Sequence, residues 1–368
     1  MRIGISKRIN IYNLITIVST ILFLSSTVIL PRIIDMRGSY AVYVNATKVI
    51  TLMFNLVAFI FLFKTKILNL LVMMLFIGVA LASRNASFIN YVLYVLLLYG
   101  CGNGERNIST YAKIKLLLIA VVVTLYILIG LNSLHDITDS LRGNRYTLGF
   151  TNPNTASMML FDAMLGVIYL SKSKKKALIL MSGVLFVFYL YTDSRTSIIM
   201  YFILMILLTR RSSFYVFFKQ LFVNFYFVMF IFTLGVSRLY DTNVNLWLNR
   251  RPMMMHQFLS YYPVNFFGHS YQDLIISVDN SYLRILIGLG IIAFILYGLL
   301  IRQVYKDLYK NKDYIGISIV SSILIYDIFE QLTIAHGTII LVFIANFLIR
   351  RNVINKINHS DLIKMEMK

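Results

Sequence analysis

Nine of the arginines lie in predicted loops between apolar segments, and these loops contain no lysine. The use of arginine instead of lysine there points to phosphate binding. A guanidinium group holds a phosphate through two parallel hydrogen bonds and keeps its charge, whereas a lysine ammonium is a strongly hydrated point charge. We predict that this set of arginines binds a pyrophosphate group at a membrane surface. For any single one, the alternative is an ion pair or a contact with lipid headgroups. The arginines best placed to act together are Arg145, Arg195, Arg250 and Arg251.

A polar segment, RYTLGFTNPN at 145–154, leads from one of these loops into an apolar run. Its Asn152 and Asn154 carry amide groups that both donate and accept hydrogen bonds, as sugar hydroxyls and phosphate oxygens require. We therefore predict that both asparagines contribute to substrate binding. Asn154 could also cap the following helix, because asparagine is favoured at that position, and the two roles can hold together.

A carboxylate, Asp279, precedes Asn280 where the longest loop returns to an apolar segment. A partly buried carboxylate in this position could accept a proton from an attacking hydroxyl, and Asn280 could shape a sugar site. The alternative is a helix N-cap, which both residue types favour. His256 and His269 compete for the role of base, so the predicted catalytic set is Asp279, His256 and His269.

Five ionisable residues lie within apolar segments or at their ends: Lys48, Asp162, Asp327, Glu330 and His336. Such residues are rare in membranes and usually functional, and a transporter would also contain them. We expect Lys48 to pair with Asp162, and Asp327 to pair with a neighbouring polar group. Because no phosphate-binding glycine loop, HExxH motif or cluster of metal ligands occurs, the sequence predicts no metal site and no cofactor.

The composition requires that membrane-spanning helices position these residues. The 368-residue chain is 59% hydrophobic and 14% charged, with a mean hydropathy of +0.76, whereas soluble domains are about 25% charged. These values exclude a cytosolic enzyme, and a single Cys101 excludes a disulfide framework. Spans of about 20 apolar residues predict about twelve transmembrane helices in one polytopic, all-α domain, 1–368. The predicted spans are 11–30, 41–63, 67–82, 86–100, 114–131, 155–170, 177–192, 196–209, 221–236, 281–301, 314–329 and 331–349.

The distribution of basic residues predicts the orientation and removes the case for nucleic-acid binding. The net charge is +20, and 24 basic residues fall on one side, including Lys115, which we assign to a loop there. Cytoplasmic loops are enriched in lysine and arginine. We therefore predict that both termini are cytoplasmic, with a cytoplasmic tail over 350–368. Most of the positive charge is then explained by topology.

Two predicted outer loops, 132–154 and 237–280, are longer than a connection requires. Long loops in a compact protein are usually functional or disordered, and the aromatic residues of the second loop favour a structured one. A short amphipathic helix is predicted over about 252–262, because Pro252 suits a first helical turn and Pro263 ends the helix. We expect this helix to lie in the membrane interface near Trp247.

The chain resembles the Wzy-type polysaccharide polymerases and, more distantly, the O-antigen ligases. The resemblance rests on the number of spans, the large outer loop, RYTLGFTNPN at 145–154, TDSRTS at 192–197, and the stretch FFG…DNSYL…GLG from 266 to 290. The ligases carry a His-Asn pair followed by a glycine, and here Asp279 replaces that histidine before Asn280 and Gly290. This difference disfavours a ligase.

The resemblance implies a helical membrane glycosyltransferase of the GT-C type at the outer face of the bacterial cytoplasmic membrane. Its donor would be a growing glycan on undecaprenyl pyrophosphate and its acceptor one lipid-linked repeat unit of a capsule, O-antigen or exopolysaccharide. A flippase and a chain-length regulator would be its partners. Under this hypothesis Arg145, Arg195 and Arg251 hold the pyrophosphate, Arg250 is a substitute, and Asn152, Asn154 and Asn280 shape the sugar site.

Three other classes of protein remain open on the sequence alone. A flippase or other transporter would have charges along a central path and short loops on both faces. An O-antigen ligase would transfer finished polymer. A non-catalytic membrane assembly protein would not depend on any outer arginine.

Overall fold

The structure, a computed structural model, describes residues 2–33, 41–62, 86–133, 136–139, 143–269, 278–333 and 338–351, with isolated positions between 74 and 81 and at 274 and 276. Most of the predicted span 67–82, His336 and nearly all of the predicted tail 350–368 lie outside the described residues.

Helices make up most of the described chain, and their bounds follow in chain order. They are α1 (Arg2–Phe23), a π-helical turn (Leu24–Ile29), α2 (Leu30–Ile33), α3 (Ala41–Leu62), α4 (Ala86–Cys101), α5 (Gly104–Ile129), α6 (Pro153–Leu170), α7 (Lys174–Thr192), α8 (Arg195–Thr209), α9 (Ser212–Phe217), α10 (Lys219–Val223), α11 (Phe225–Ser237), α12 (Asn243–Trp247), α13 (Arg251–Tyr261), α14 (Ser281–Gly288), α15 (Gly290–Lys310), α16 (Tyr314–Phe329) and α17 (339–351). A short antiparallel hairpin, β1 (Ile137–Asp139) and β2 (Gly143–Arg145), precedes α6.

In the part of the chain that the structure describes, four helical segments are long and apolar enough to cross a membrane: Ile11–Ile33, Val42–Ile60, Gly104–Ile129 and Lys174–Thr192. Shorter apolar helices cover Phe88–Cys101, Arg195–Thr209, Phe225–Ser237 and Tyr314–Phe329. Large apolar side chains lie exposed on the outside of the bundle; Val42 is 70% exposed and Ile127 is 72% exposed. A surface this apolar is suited to lipid rather than water. The prediction of an all-α membrane protein is therefore confirmed in this general form.

Asparagine and serine side chains determine where several helices begin. Asn103 caps α5, Asn152 caps α6, Ser173 caps α7 and Asn280 caps α14, each by accepting a hydrogen bond from a backbone N–H of the first turn. Such caps satisfy donors that have no partner within the helix. Both α5 and α7 end at a left-handed residue, Gly130 in the first case. Each of these helix ends is therefore set by local sequence.

The predicted span 281–301 is two helices, α14 and α15, that meet at Leu289. Gly290 has a φ of 88°, which only glycine adopts without strain. The loop residue Phe266 lies directly against it, and the N–H of His269 donates to the Ile287 carbonyl at 2.9 Å. The FFG and GLG segments are thus parts of one contact between the loop and this helix break.

The predicted span 331–349 is also different: among its described residues, Leu332 and Thr333 are helical and a separate helix, α17, covers 339–351. The N–H of Ile339 donates to Asp162 Oδ1 at 3.0 Å, halfway along α6. Asp162 therefore acts as a helix N-terminal acceptor from another helix.

The two ends of the helical bundle differ in character. At one end, Arg350 contacts Asp307 at 3.0 Å, and the Tyr169 hydroxyl donates to Asp313 at 2.6 Å, among the lysines that follow α6 and α15. The opposite end contains the N-terminus of α6, the C-terminus of α7 and the N-terminus of α8, where the arginines predicted to bind pyrophosphate are found. The candidate site lies at that second end.

Candidate functional site

The centre of the site is an ion pair between Arg251 and Glu330. The Nη2 of Arg251 donates to Glu330 Oε1 at 2.5 Å, and the two side chains are only 14% and 7% exposed. The Nη1 of Arg251 donates to the hydroxyl of Thr196 at 3.3 Å. Arg251 thus connects the start of α13 with the start of α8 and the end of α16.

Arg145 reaches the same carboxylate through Asn154. Its Nη2 donates to Asn154 Oδ1 at 2.8 Å, and the Nδ2 of Asn154 is 3.5 Å from Glu330 Oε1. Asn154 therefore links Arg145 to Glu330, which in turn binds Arg251. Helix capping is left to Asn152, whose side chain accepts from the Asn154 N–H at 2.9 Å. The alternative that Asn154 is the cap is wrong by two residues.

The C-terminus of α7 holds Arg145 in place. Its Nε donates to the carbonyl of Thr192 at 3.0 Å, and the N–H of Tyr146 donates to the carbonyl of Tyr191 at 2.8 Å. The C-terminal end of a helix carries partial negative charge, which favours a cation there. Packing of the hairpin end against the C-terminus of α7 therefore positions Arg145 in the site.

Arg195 and Arg250 lie at the edge of the site with exposed side chains. The Arg195 side chain is 62% exposed and its Nε is 3.4 Å from Asp193 Oδ1. It immediately precedes Thr196, the residue that Arg251 contacts. Arg250 is left-handed, with a φ of 60°, and precedes α13. These two arginines are open to a ligand, whereas Arg145 and Arg251 are partly buried.

Burial dominates the electrostatics of Glu330. It raises the pKa of this carboxyl to about 7, Arg251 opposes the rise, and the nearby Asp279 carboxylate adds to it. A carboxyl in this environment exchanges its proton near neutral pH. The site therefore holds two partly buried guanidinium groups and the carboxyl of Glu330, whose charge changes with pH near neutrality.

Asp279 and Asn280 enter the site in different ways. Gln331 connects to Asp279 at 3.5 Å and also donates to the carbonyl of Val278, so the half-buried Asp279 borders the segment after Glu330. Asn280 is fully buried: it caps α14 and donates to the carbonyl of Ile328 at 2.7 Å. Its amide joins α14 to the end of α16, so Asn280 has a structural role here, and its part in a sugar site stays a prediction.

Asp327 organises the chain that follows α16. Its Oδ1 accepts from the hydroxyl of Ser281 at 2.5 Å and from the N–H of Thr333 at 2.9 Å, and its Oδ2 accepts from the Thr333 hydroxyl. The predicted pairing of Asp327 with neighbouring polar groups is found. These bonds hold Glu330 between two anchored residues.

Both candidate histidines are engaged within the loop 237–280. The ring of His256 stacks on Tyr240 with centroids 3.8 Å apart. His269 Nε2 lies 2.8 Å from the carbonyl of Pro263 and 3.3 Å from Asn265 Nδ2. Their contacts support the loop, so Asp279 is the better placed of the three predicted bases.

A second polar cluster lies in the interior of the bundle. Lys115 Nζ is 2.7 Å from Asp162 Oδ2, and the hydroxyl of Tyr111 donates to the same oxygen at 2.5 Å, with all three residues fully buried. The predicted pair of Lys48 and Asp162 is therefore wrong. Lys115 also does not lie in a loop. It is buried within α5, where its charge requires a buried partner.

Sequence reasoning did not assign roles to Glu330, Thr196 or Gln331. Glu330 was singled out only as an ionisable residue at the end of an apolar segment, which was the one usable signal. Within the described residues, no group of three or more His, Cys, Asp or Glu side chains is arranged to hold a metal ion.

Comparison of the chain with protein-family models, curated proteins and solved structures gave no match. The class that the fold itself defines is an all-α membrane protein with a polar, arginine-containing site at one end of its helical bundle.

Proposed function

We propose that the protein is a membrane glycosyltransferase of the polysaccharide polymerase type. It would join oligosaccharide repeat units carried on undecaprenyl pyrophosphate, at the outer face of the bacterial cytoplasmic membrane. The observation that carries this proposal is the pair of partly buried arginines, Arg145 and Arg251, joined through Asn154 and Glu330 at one end of a bundle of apolar helices. Two preorganised guanidinium groups suit a leaving group whose charge develops in the transition state.

The proposed arrangement has about twelve spans in a GT-C-like fold, with both termini in the cytoplasm. The support for this orientation is the opposite end of the bundle, where lysines follow α6 and α15. The loops 132–154 and 237–280 would then lie outside and cover the arginine site. The positive-inside tendency predicts this distribution of lysine.

In the proposed reaction, a hydroxyl of the acceptor sugar attacks the anomeric carbon of the donor glycan. The bond from that carbon to the lipid pyrophosphate breaks, and the pyrophosphate leaves with the bonding electron pair. Arg145 and Arg251 stabilise its charge, and Arg195 and Arg250 contact it from the open edge. Asp279 orients the acceptor hydroxyl and accepts its proton.

The experiment is deletion of the gene, followed by typing of the surface glycan and complementation with the wild-type gene or Arg251→Lys. Single repeat units at the surface of the deletion strain support a polymerase, provided that wild type restores polymer and Arg251→Lys does not. Unchanged polymer in the deletion strain would exclude this function.

A transporter of lipid-linked oligosaccharides is the second candidate, favoured by the fully buried Lys115 and Asp162. Ionisable pairs inside a bundle are typical of transport paths. The same glycan typing separates the two candidates, because loss of a flippase removes the surface repeat altogether. A ligase would instead leave lipid-linked polymer that is never transferred.

A further inference from the structure

We infer that Glu330 is an internal counter-anion that a substrate pyrophosphate must displace from Arg251, and that it takes up a proton when displaced. This inference rests on the proposed function, since it assumes that the arginine site binds a phosphate-containing ligand. It adds a role for a residue that neither the loop arginines nor the predicted base accounts for.

The geometry shows a carboxylate where an anionic ligand would bind. Glu330 Oε1 accepts from Arg251 at 2.5 Å and lies 3.5 Å from the Asn154 amide, behind which stands Arg145. A phosphate oxygen bound between the two guanidinium groups would need the same donors. The ligand and the ionised carboxylate therefore compete for one position.

The groups facing Glu330 decide what happens to its charge after displacement. From the neighbouring elements these are Arg251 on α13, Thr196 on α8, Asn154 on α6 with Arg145 behind it, Asp279 before α14, and Tyr326 one turn earlier on α16. Arg251 is the closest cation, and a bound pyrophosphate would engage it. Asp279 already opposes the charge of Glu330, and the ligand would add further negative charge.

Two carboxylates beside an anion cannot all remain ionised in a buried site, so Glu330 takes up the proton. Burial raises its pKa to about 7 before any ligand arrives, so little extra repulsion is needed. Proton uptake makes binding weaker as the pH rises, by about tenfold for each pH unit above the pKa. The affinity of the site for the ligand should therefore fall above neutral pH, because Glu330 loses its proton there.

The test measures binding of inorganic pyrophosphate to the purified full chain at pH 6 and pH 8. We compare wild type with Glu330→Gln and with the matched control Glu105→Gln, whose exposed side chain lies at the start of α5, at the opposite end of the bundle. At pH 8, Glu330→Gln should bind roughly tenfold more tightly than wild type, and at pH 6 the two should agree within about twofold. Comparing proteins at one pH cancels the titration of pyrophosphate itself.

A second measurement needs no variant at this position. Sulfate keeps its charge between pH 6 and pH 8, so calorimetry in buffers of different ionisation enthalpy reports protons taken up by the protein alone. We expect about one proton per bound sulfate at pH 8 and nearly none at pH 6.

Equal or weaker pyrophosphate binding by Glu330→Gln at pH 8 would overturn the inference, as would the absence of binding in every protein. The same holds if Glu105→Gln shows the effect, or if sulfate binds without proton uptake. Failure of the proposed function is recognised separately. In that case Glu330→Gln binds pyrophosphate more tightly at pH 8, yet no form of the protein makes polymer.

Discussion

Lys115 and Asp162 form a fully buried salt bridge, 2.7 Å long, between the two helices α5 and α6. The second oxygen of Asp162 accepts the N–H of Ile339, so the pair also fixes the point at which α17 begins. Closer to the site, the N–H of Thr333 donates to Asp327 at 2.9 Å. The interior ion pair thus joins three helices, α5, α6 and α17.

Removing one partner of this pair should destabilise the protein severely. We expect Lys115→Met and Asp162→Leu each to cost about 3–5 kcal/mol, because each leaves a buried charge without its counter-ion. The double variant should recover part of this loss, since it removes both charges. Thermal unfolding of all three variants in the same detergent measures the coupling. Strictly additive losses would mean that the two side chains do not interact.

Replacing Arg251 by lysine should abolish polymer formation while leaving the protein in the membrane. Arg251 uses two nitrogens for two partners, Thr196 and Glu330, and a single ammonium group cannot reproduce this fork. We expect a loss of roughly 100- to 1,000-fold in the rate of polymer formation. The measurement is glycan chain length together with the amount of protein in the membrane.

The matched control for this substitution is Arg238→Lys. Arg238 is exposed at the C-terminus of α11, at the same end of the bundle. It should retain normal polymer. If both variants made polymer of normal length, Arg251 would not hold the leaving group.

An alanine at Gly290 should prevent the loop from docking on the break between α14 and α15. The position has a φ of 88°, and an added Cβ would collide with the backbone at Phe266. We expect a marked fall in the melting temperature, because strained backbone and steric overlap act together. The control is Gly183→Ala in α7, where a Cβ would meet open space and should be neutral or stabilising by about 1 kcal/mol. Equal melting temperatures for the two variants would contradict this account of the loop contact.

The stability of the protein should fall with rising pH because of Glu330. Burial raises the pKa of this carboxyl from its ordinary value of 4.5 to about 7, so the fold favours the neutral form. This contribution is complete below pH 4.5 and is lost as the pH rises through 7. Between pH 5, just above the ordinary value of 4.5, and pH 8, about one unit above the raised value, the melting temperature of wild type should therefore drop relative to that of Glu330→Gln.

Glu105→Gln serves as the reference for this pH effect, because its carboxylate is exposed at the start of α5. It should follow wild type over the whole range. Parallel curves for wild type and Glu330→Gln would show that the titration of Glu330 does not affect folding.

Features that depend only on residues close together in the sequence could be predicted from it. The apolar runs indicated membrane helices, because burial of apolar surface needs no knowledge of the partner. Pro252 indicated the start of the short helix that the structure has at Arg251–Tyr261. The contrast between arginine and lysine also comes from the sequence alone, because that preference is a property of the side chain itself, and the orientation that it indicates stays a prediction.

Contacts between distant helices were decided by the tertiary structure. Asp162 could be recognised as a buried charge, but its partner proved to be Lys115, 47 positions earlier, rather than Lys48. Asn152 and Asn154 are equally suited to capping, and only the arrival of Arg145 assigns one to the helix and the other to the site. The role of Glu330 follows only from its ion pair with Arg251, which lies 79 positions before it in the sequence. The reason is physical: composition determines that a segment is buried, whereas the faces that pack together determine which buried charges meet.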